Sequence, residues 1–311
     1  MSPGSIVTVG SFDGVHLGHR AVLEEIARRG REAGLRSVLV TFDPHPLEVV
    51  NPPAAPPLLT VGAERLEVLA QTALDEVRLL RFDRRIAALA PEEFVREILL
   101  GRCAMRALVI GHDHGFGRGR SGDAETLRRL GAVHGFEVDV VAPVDRGRQR
   151  VSSSLIRRAV AGGDLATARL LLGRPYSVSG IVGRGAQRGR SIGVPTINLV
   201  PPPARKLLPP DGVYAVMVET PGGRFGGMLN QGTRPTFGET TRTLEAHLFG
   251  FEGDLYDRAV RIDWIARIRD VRRFASVEDL KAQLAHDRAG AEAALASAHE
   301  PRDASGVRHH E

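Results

Sequence analysis

A single cysteine, Cys103, excludes any intrachain disulfide. It lies among Leu99, Leu100 and Met105, the surroundings of a buried, inert thiol rather than a nucleophile. No apolar run approaches the roughly 20 residues that cross a bilayer. Met1–Val9 has neither a basic start nor a long apolar stretch, so no secretory signal is read there. Together these absences point to a reducing cytoplasm. Lysine is nearly missing. Lys206 and Lys281 are the only two, so the 42 Lys and Arg residues behind the net charge of +5 are almost all arginine. A basic chain can bind nucleic acid or smaller polyphosphates. Here the arginines are scattered (Arg28, Arg29, Arg84, Arg85, Arg128, Arg129) and form no dense block, which reads mainly as composition bias.

What is present falls into two patterns. In the first half, short apolar runs alternate with helical spacing. The expected strands are Ile6–Val9, Ser37–Phe42, Val77–Leu80, Ala107–Ile110 and Val138–Val141. The expected helices are Leu17–Ala33, Glu64–Thr72, Pro91–Leu100, Asp123–Val133, Ser154–Ala161 and Leu165–Leu172. Continuous apolar strands between helices predict a parallel, doubly wound α/β domain with both sheet faces covered. Such sheets bind ligands beyond the carboxyl ends of their strands, here residues 10–16, 43–46, 111–117 and 143–153. The pattern changes near Gly173 and Pro175. Tyr176–Val182, Val213–Glu219, Phe225–Asn230, Thr243–Phe249 and Ala259–Trp264 read as strands of a small antiparallel barrel, followed by a helix from Val277 to about Ala296. The expected domains are 1–173 and 174–298, with a polar tail over 299–311 that reads as disordered.

Gly10-Ser11-Phe12-Asp13-Gly14-Val15-His16-Leu17-Gly18-His19 sits where the first strand hands over to the first helix. The glycines permit tight turns and close backbone approach. A helix N-terminus offers free N–H groups and a positive dipole end, which favour phosphate. His16 and His19, three apart, share a helix face. Two imidazole donors there could hold polyphosphate oxygens as charge develops. The alternatives are a pair of surface histidines, or a zinc site completed by His112 and His114, although zinc has no need of the glycine loop. Ser152, Ser153 and Ser154 are N-cap residue types, and Arg157 lies one turn in, where its guanidinium could take a phosphate or simply face water.

The second half carries a basic glycine-rich loop, Gly183–Arg190, that is neither a Walker A sequence nor a dinucleotide fingerprint. Thr196 and Asn198 follow in an extended segment and so point the same way. Hydroxyl and amide oxygens are hard neutral ligands, suited to Mg²⁺ already on ATP phosphates. In Thr243–Phe249, Leu244, Ala246 and Leu248 lie on one face and Glu245 and His247 on the other. Glu245 could be the general base that takes a hydroxyl proton in phosphoryl transfer, or a glutamate facing solvent.

G-S-F-D-G-V-H-L-G-H resembles the HxGH signature of nucleotidyltransferases, in particular that of the bacterial bifunctional riboflavin kinase/FAD synthetase family. T-F-D-P-H-P (41–46), G-H-D-H-G-F-G-R-G-R-S-G (111–122) and V-S-S-S-L-I-R (151–157) resemble that family's loop after the second strand, its flavin-site loop and its second ATP motif. P-T-I-N (195–198) resembles its P-T-A-N, N-Q-G-T-R-P-T-F (230–237) its N-x-G-x-R-P-T-F, and L-E-A-H-L-F (244–249) the strand bearing its catalytic glutamate. R-R-F (272–274) also matches. The departures are Ile197 for alanine, His114 where Phe or Tyr is usual, and Asp257 where glycine is common.

The resemblance implies a Rossmann-like FMN adenylyltransferase domain followed by a β-barrel riboflavin kinase domain. For the first, it implies ATP at Gly10, Ser11, Phe12, Asp13, His16, His19, Ser153 and Arg157, and flavin at Asp43, His45, Asp113, Phe116 and Gly117. For the second, it implies ATP at Gly189, Gly193, Pro195, Thr196 and Asn198, with Thr196 and Asn198 on Mg²⁺, and riboflavin at Glu245, Arg261 and Phe274. Glu245, His16 and His19 would be catalytic. The implied substrates are riboflavin, FMN and ATP, with no nucleic acid, membrane or obligate protein partner. HxGH domains also occur in enzymes that charge tRNA, but no dense Arg/Lys face and no anticodon-type domain are seen here.

Overall fold

The computed structural model describes residues 4–112, 122–146, 149–184, 194–236 and 239–299. In chain order the first half holds β1 (Ser5–Val9), α1 (Leu17–Ala33), β2 (Arg36–Asp43), α2 (Pro46–Val50), α3 (Ala63–Leu69), β3 (Glu76–Arg81), α4 (Arg84–Ala88), α5 (Pro91–Phe94), a wide helical turn over Val95–Leu100 and α6 (Gly101–Cys103). It continues with β4 (Met105–Gly111), α7 (Ala124–His134), β5 (Glu137–Val141), a hairpin of β6 (Asp145–Arg146) and β7 (Gln149–Arg150), α8 (Ser153–Ala161) and α9 (Leu165–Leu172). The second half holds β8 (Tyr176–Gly183), β9 (Ile197–Leu199), β10 (Gly212–Thr220), β11 (Gly223–Thr236), β12 (Glu239–Leu248), β13 (Ala259–Arg269) and α10 (Val277–His299). The expected strands and helices are there, several of them longer than read. Apolar periodicity could not signal α2, α4, the β6–β7 hairpin or the three-residue β9, because each is too short to show a period.

Two compact units form. One is Met1–Arg158 with Leu170–Gly173 and Arg205–Leu207; the other is Ala159–Arg169, Arg174–Ala204 and Leu208–Glu311. The first unit's sheet has the order β3-β2-β1-β4-β5, with every neighbouring pair parallel. All of β1 is buried, as are Val38, Leu39 and Val40 of β2, because helices cover both faces. The winding reverses between β1 and β4, which opens a crevice at their carboxyl ends. Helix α1 lies over β1, burying Val22, Leu23, Ile26 and Ala27, and ends where Gly34 adopts φ 65°. Cys103 is fully buried in the core with Val95, Ile98 and Leu99, and burial pushes its thiol pKa up, so it is inert.

A segment far along the chain completes this unit. Leu58 donates to the Arg205 carbonyl, and Leu207 donates back to that of Leu58. Between them Lys206, its side chain fully buried, donates to the Leu59 carbonyl and to Glu64, each at 2.7 Å. Removing one partner of a buried pair strands the other charge, at a cost of about 3–5 kcal/mol. Lys206→Met is therefore expected to lower the unfolding temperature of this unit by calorimetry. Lys206→Met with Glu64→Gln should recover much of that loss, since no charge is then stranded.

The second unit is a closed barrel in the order β10-β11-β12-β9-β8-β13, with antiparallel neighbours. Strand alternation sorts its residues. On β10, Tyr214, Val216 and Val218 are fully buried, whereas Ala215 and Met217 pack with Met228 against Ala291 and Leu295 of α10. Trp264 stacks on Tyr176 with ring centres 5.7 Å apart. On β12, Leu244, Ala246 and Leu248 are buried while Glu245 and His247 are only partly so, the expected alternation.

Candidate active sites

The β1–α1 loop is tightly held. Phe12 and Val15 adopt φ 47° and 40°, left-handed values that cost a side-chain-bearing residue of order 1–3 kcal/mol. Asp13 stabilises this path. Its carboxylate, nearly fully buried, accepts from the Leu59 and Thr60 amides at 3.0 and 2.9 Å and from Arg157 at 2.7 Å. The Asp13 carbonyl accepts from the Ser153 hydroxyl. Arg157 also donates to the Pro57 carbonyl. Asp13 and Arg157 thus brace the loop, and neither is among the described residues lining the cavity. The sequence could not show this, because Arg157 finds its carboxylate 144 positions away.

His16 caps α1. Its Nδ1 accepts from the His19 amide at 3.2 Å, so in the neutral ring Nε2 carries the proton. The two imidazoles stack with centroids 3.6 Å apart, and Phe12 packs on His19. A Cβ at Gly18 would stand 3.2 Å from the His16 ring, a close approach that favours glycine at that position. The pair faces a cavity of about 670 Å³ at the β1/β4 switch point, within the range of small-molecule sites. Gly10, Ser11, Phe12, His45 and Ser153 also line it, with His112. Its described lining holds four histidines and no other ionisable side chain. His45 caps α2 through Nδ1, and burial, foremost, lowers its pKa, so it presents a neutral Nε2–H. Asp43 instead faces Arg205 at 3.5 Å. Asp113, His114, Phe116 and Gly117 lie outside the described residues.

In the barrel, Glu245 pairs in register with Asn198 on β9 and with Asn230 on β11. Directly paired residues face the same side, so an amide flanks the carboxylate on each neighbouring strand. Thr196, two residues before Asn198, shares that face. Glu245, Thr196, Asn230, His247 and Phe274 line a cavity of about 220 Å³, closed by Leu280, Leu284 and Asp287 of α10. Thr196 also lines a second cavity, of about 90 Å³, with Pro195, Ile197, Leu248 and Tyr256. Arg269 and Arg272 hold guanidiniums over Phe274 at 5.6 and 4.9 Å, and Arg269 also binds Asp287 through two hydrogen bonds. Arg261 is elsewhere. It pairs with Asp263 at 2.9 Å and does not line either cavity among the described residues. It stands eight residues from Arg269 along β13, about 26 Å at strand rise. Gly189 and Gly193 lie outside the described residues. Asp257 has φ 60°, a left-handed position that glycine fills freely and aspartate tolerates.

Two family models divide the chain in the same order as the two cavities: FAD synthetase over residues 1–155 and riboflavin kinase over residues 172–295. The bifunctional riboflavin kinase/FMN adenylyltransferase of Escherichia coli strain K12 is 41% identical over 285 residues, covering 91% of this chain and 90% of that protein. The chain belongs to this bifunctional family. The Pseudomonas fluorescens member of the riboflavin kinase/FMN adenylyltransferase family is 39% identical over 298 residues, 95% of each chain. A crystal structure described as a macrolide-efflux protein from Streptococcus pneumoniae superposes with a TM-score of 0.84 at 33% identity, covering 94% of this chain and 95% of that one. Among the described residues no helix is long and apolar enough to cross a membrane. For a riboflavin kinase/FMN adenylyltransferase, the histidine-lined cavity falls within the FAD synthetase match and the Glu245 cavity within the riboflavin kinase match. Asn230, His247, Arg269 and Asp287 were missed as site residues. The N-Q-G-T motif and the alternation of β12 hinted at the first two; Arg269 and Asp287 meet only through packing of α10 on β13.

Proposed function

We propose that the two cavities are the two active sites of a single enzyme, each set by the residues that line it. The chain phosphorylates riboflavin with ATP to give FMN, then adenylylates FMN with a second ATP to give FAD and pyrophosphate. The observation that carries the kinase assignment is the position of Thr196. It lines both barrel cavities and shares a face with Glu245, so a phosphoryl group held there lies between a ligand in one cavity and a ligand in the other.

In the kinase step, Glu245 takes the proton of the terminal ribityl hydroxyl as its oxygen attacks the γ-phosphorus, and ADP leaves. Phe274 offers a ring to the flavin in the same cavity. Arg261 is engaged with Asp263 and is left out of the riboflavin site. Mg²⁺ enters as part of the ATP substrate, where it neutralises phosphate charge. The Thr196 hydroxyl and Asn198 carboxamide, two hard oxygens on one face, suit a cation already carrying phosphate oxygens. Pro195, with Gly189 and Gly193, belongs to the same nucleotide-binding segment.

In the adenylyl step, an FMN phosphate oxygen attacks the α-phosphorus in line and pyrophosphate departs. The Nε2–H groups of the His16 and His19 pair donate to the oxygens on which charge builds. Gly10, Ser11, Phe12 and Ser153 approach the nucleotide, while Asp13 and Arg157 hold the loop that presents them. His45 donates toward the flavin side, and Asp43, Asp113, Phe116 and Gly117 are assigned to the flavin by the resemblance of their motifs alone. Neither step needs a covalent enzyme intermediate. The functional boundary is placed at 173/174. The partners are the small-molecule substrates, in the cytoplasm, without nucleic acid, membrane or an obligate protein. Chromatography after incubating the purified chain with riboflavin, ATP and Mg²⁺ tests the assignment. FMN should appear first and FAD after it; absence of both products overturns it.

A further inference from the structure

The ladder between β9 and β12 ends at the pair Ile197 and Ala246. The next residues of that ladder would be Thr196 and His247, then Pro195 and Leu248. Proline has no backbone N–H, so the ladder cannot continue through Pro195. Thr196 would then hang on backbone held from one side only. The gap is bridged by a side chain. His247 Nδ1 lies 2.7 Å from the Pro195 carbonyl oxygen. A carbonyl only accepts, so Nδ1 carries the proton and His247 is the donor. The ring is also set from its other side, edge to face against Phe249 with centroids 5.8 Å apart. Thr196 is therefore bracketed by ladder pairing after it and by the imidazole clamp before it.

We infer that His247 is a positioning residue of the kinase site, which fixes Pro195 and thereby presents the Thr196 hydroxyl to Mg-ATP. The inference rests on the assignment of Thr196 to the nucleotide's phosphates. His247 also lines the Glu245 cavity, so direct contact of Nε2 with the flavin is the competing role. Amide side chains separate the two. Asparagine places its N–H₂ near the site of Nδ1, and glutamine places it near that of Nε2.

The experiment is steady-state kinetics of riboflavin phosphorylation by the full chain, with ATP, riboflavin and Mg²⁺ varied separately, for His247→Asn, His247→Gln and His247→Phe. Adenylylation of added FMN, measured in parallel, reports that each variant is folded and should not change. Loss of one hydrogen bond corresponds to about five- to tenfold. His247→Gln and His247→Phe are expected to raise KM for ATP and the Mg²⁺ requirement by about that factor, with KM for riboflavin unchanged, while His247→Asn restores near-normal values. Activity retained by the glutamine variant and lost by the asparagine variant overturns the inference, as does an effect confined to KM for riboflavin. Thr196→Ala distinguishes the two levels of failure. If it leaves ATP and Mg²⁺ dependence intact, the assignment of Thr196 itself is wrong; if it raises both and the His247 variants do not, only the clamp is.

Discussion

Glu245→Gln is expected to reduce FMN formation by about 10²–10⁴-fold while conversion of supplied FMN to FAD proceeds at the wild-type rate. The substitution keeps size and shape, so the flanking Asn198 and Asn230 pairs of the ladder persist. What it removes is the ability to accept a proton. The alcohol must lose that proton as its oxygen bonds to phosphorus, and among the described residues lining this cavity the other carboxylate is Asp287, held by Arg269 through two hydrogen bonds. Product chromatography from riboflavin and, separately, from FMN reads both steps on one sample. An equal loss of both activities would refute the division of labour between the two cavities.

The converse experiment is His16→Ala combined with His19→Ala. Riboflavin should then be converted to FMN, which accumulates, because adenylyl transfer falls by about 10²-fold or more when preorganised donors are removed. The two are replaced together because they act as a stacked unit, and because each alone leaves a donor beside the phosphates. Loss of the His16 cap on α1 adds roughly 1 kcal/mol of local destabilisation, too small to unfold the unit. A double variant that makes FAD at the normal rate would remove the histidine pair from the mechanism.

Much of this site was legible in the residues themselves. The strand-to-helix glycine loop with two histidines on one helix face is a local pattern, and local geometry decides it. The alternation from Leu244 to Leu248 likewise told which side of β12 is apolar and which presents Glu245. Arg157 was legible as a helix arginine that could take a phosphate or face water, but not as a brace, since its partner Asp13 is brought to it by the whole sheet. Arg261 shows the opposite limit. It lies on the same strand as the cavity-lining Arg269, yet eight residues of extended chain carry it away from that cavity.

By itself the sequence determined the class of each half, the order of the two units, and which side of its helix or strand each candidate side chain shares with its neighbours, because those follow from periodicities of two and of three to four residues and from spacings within one turn or one strand. Only the tertiary structure decided what those groups lean on: Asp13 between Arg157 and the Leu59 and Thr60 amides, Lys206 returning to Leu59 and Glu64, Glu245 between two asparagines, and His247 on Pro195. Apart from the ladder pair of Glu245 with Asn230, those partners lie from 46 to 147 positions apart, so they come together through the winding of the sheet and the closure of the barrel rather than through any local rule.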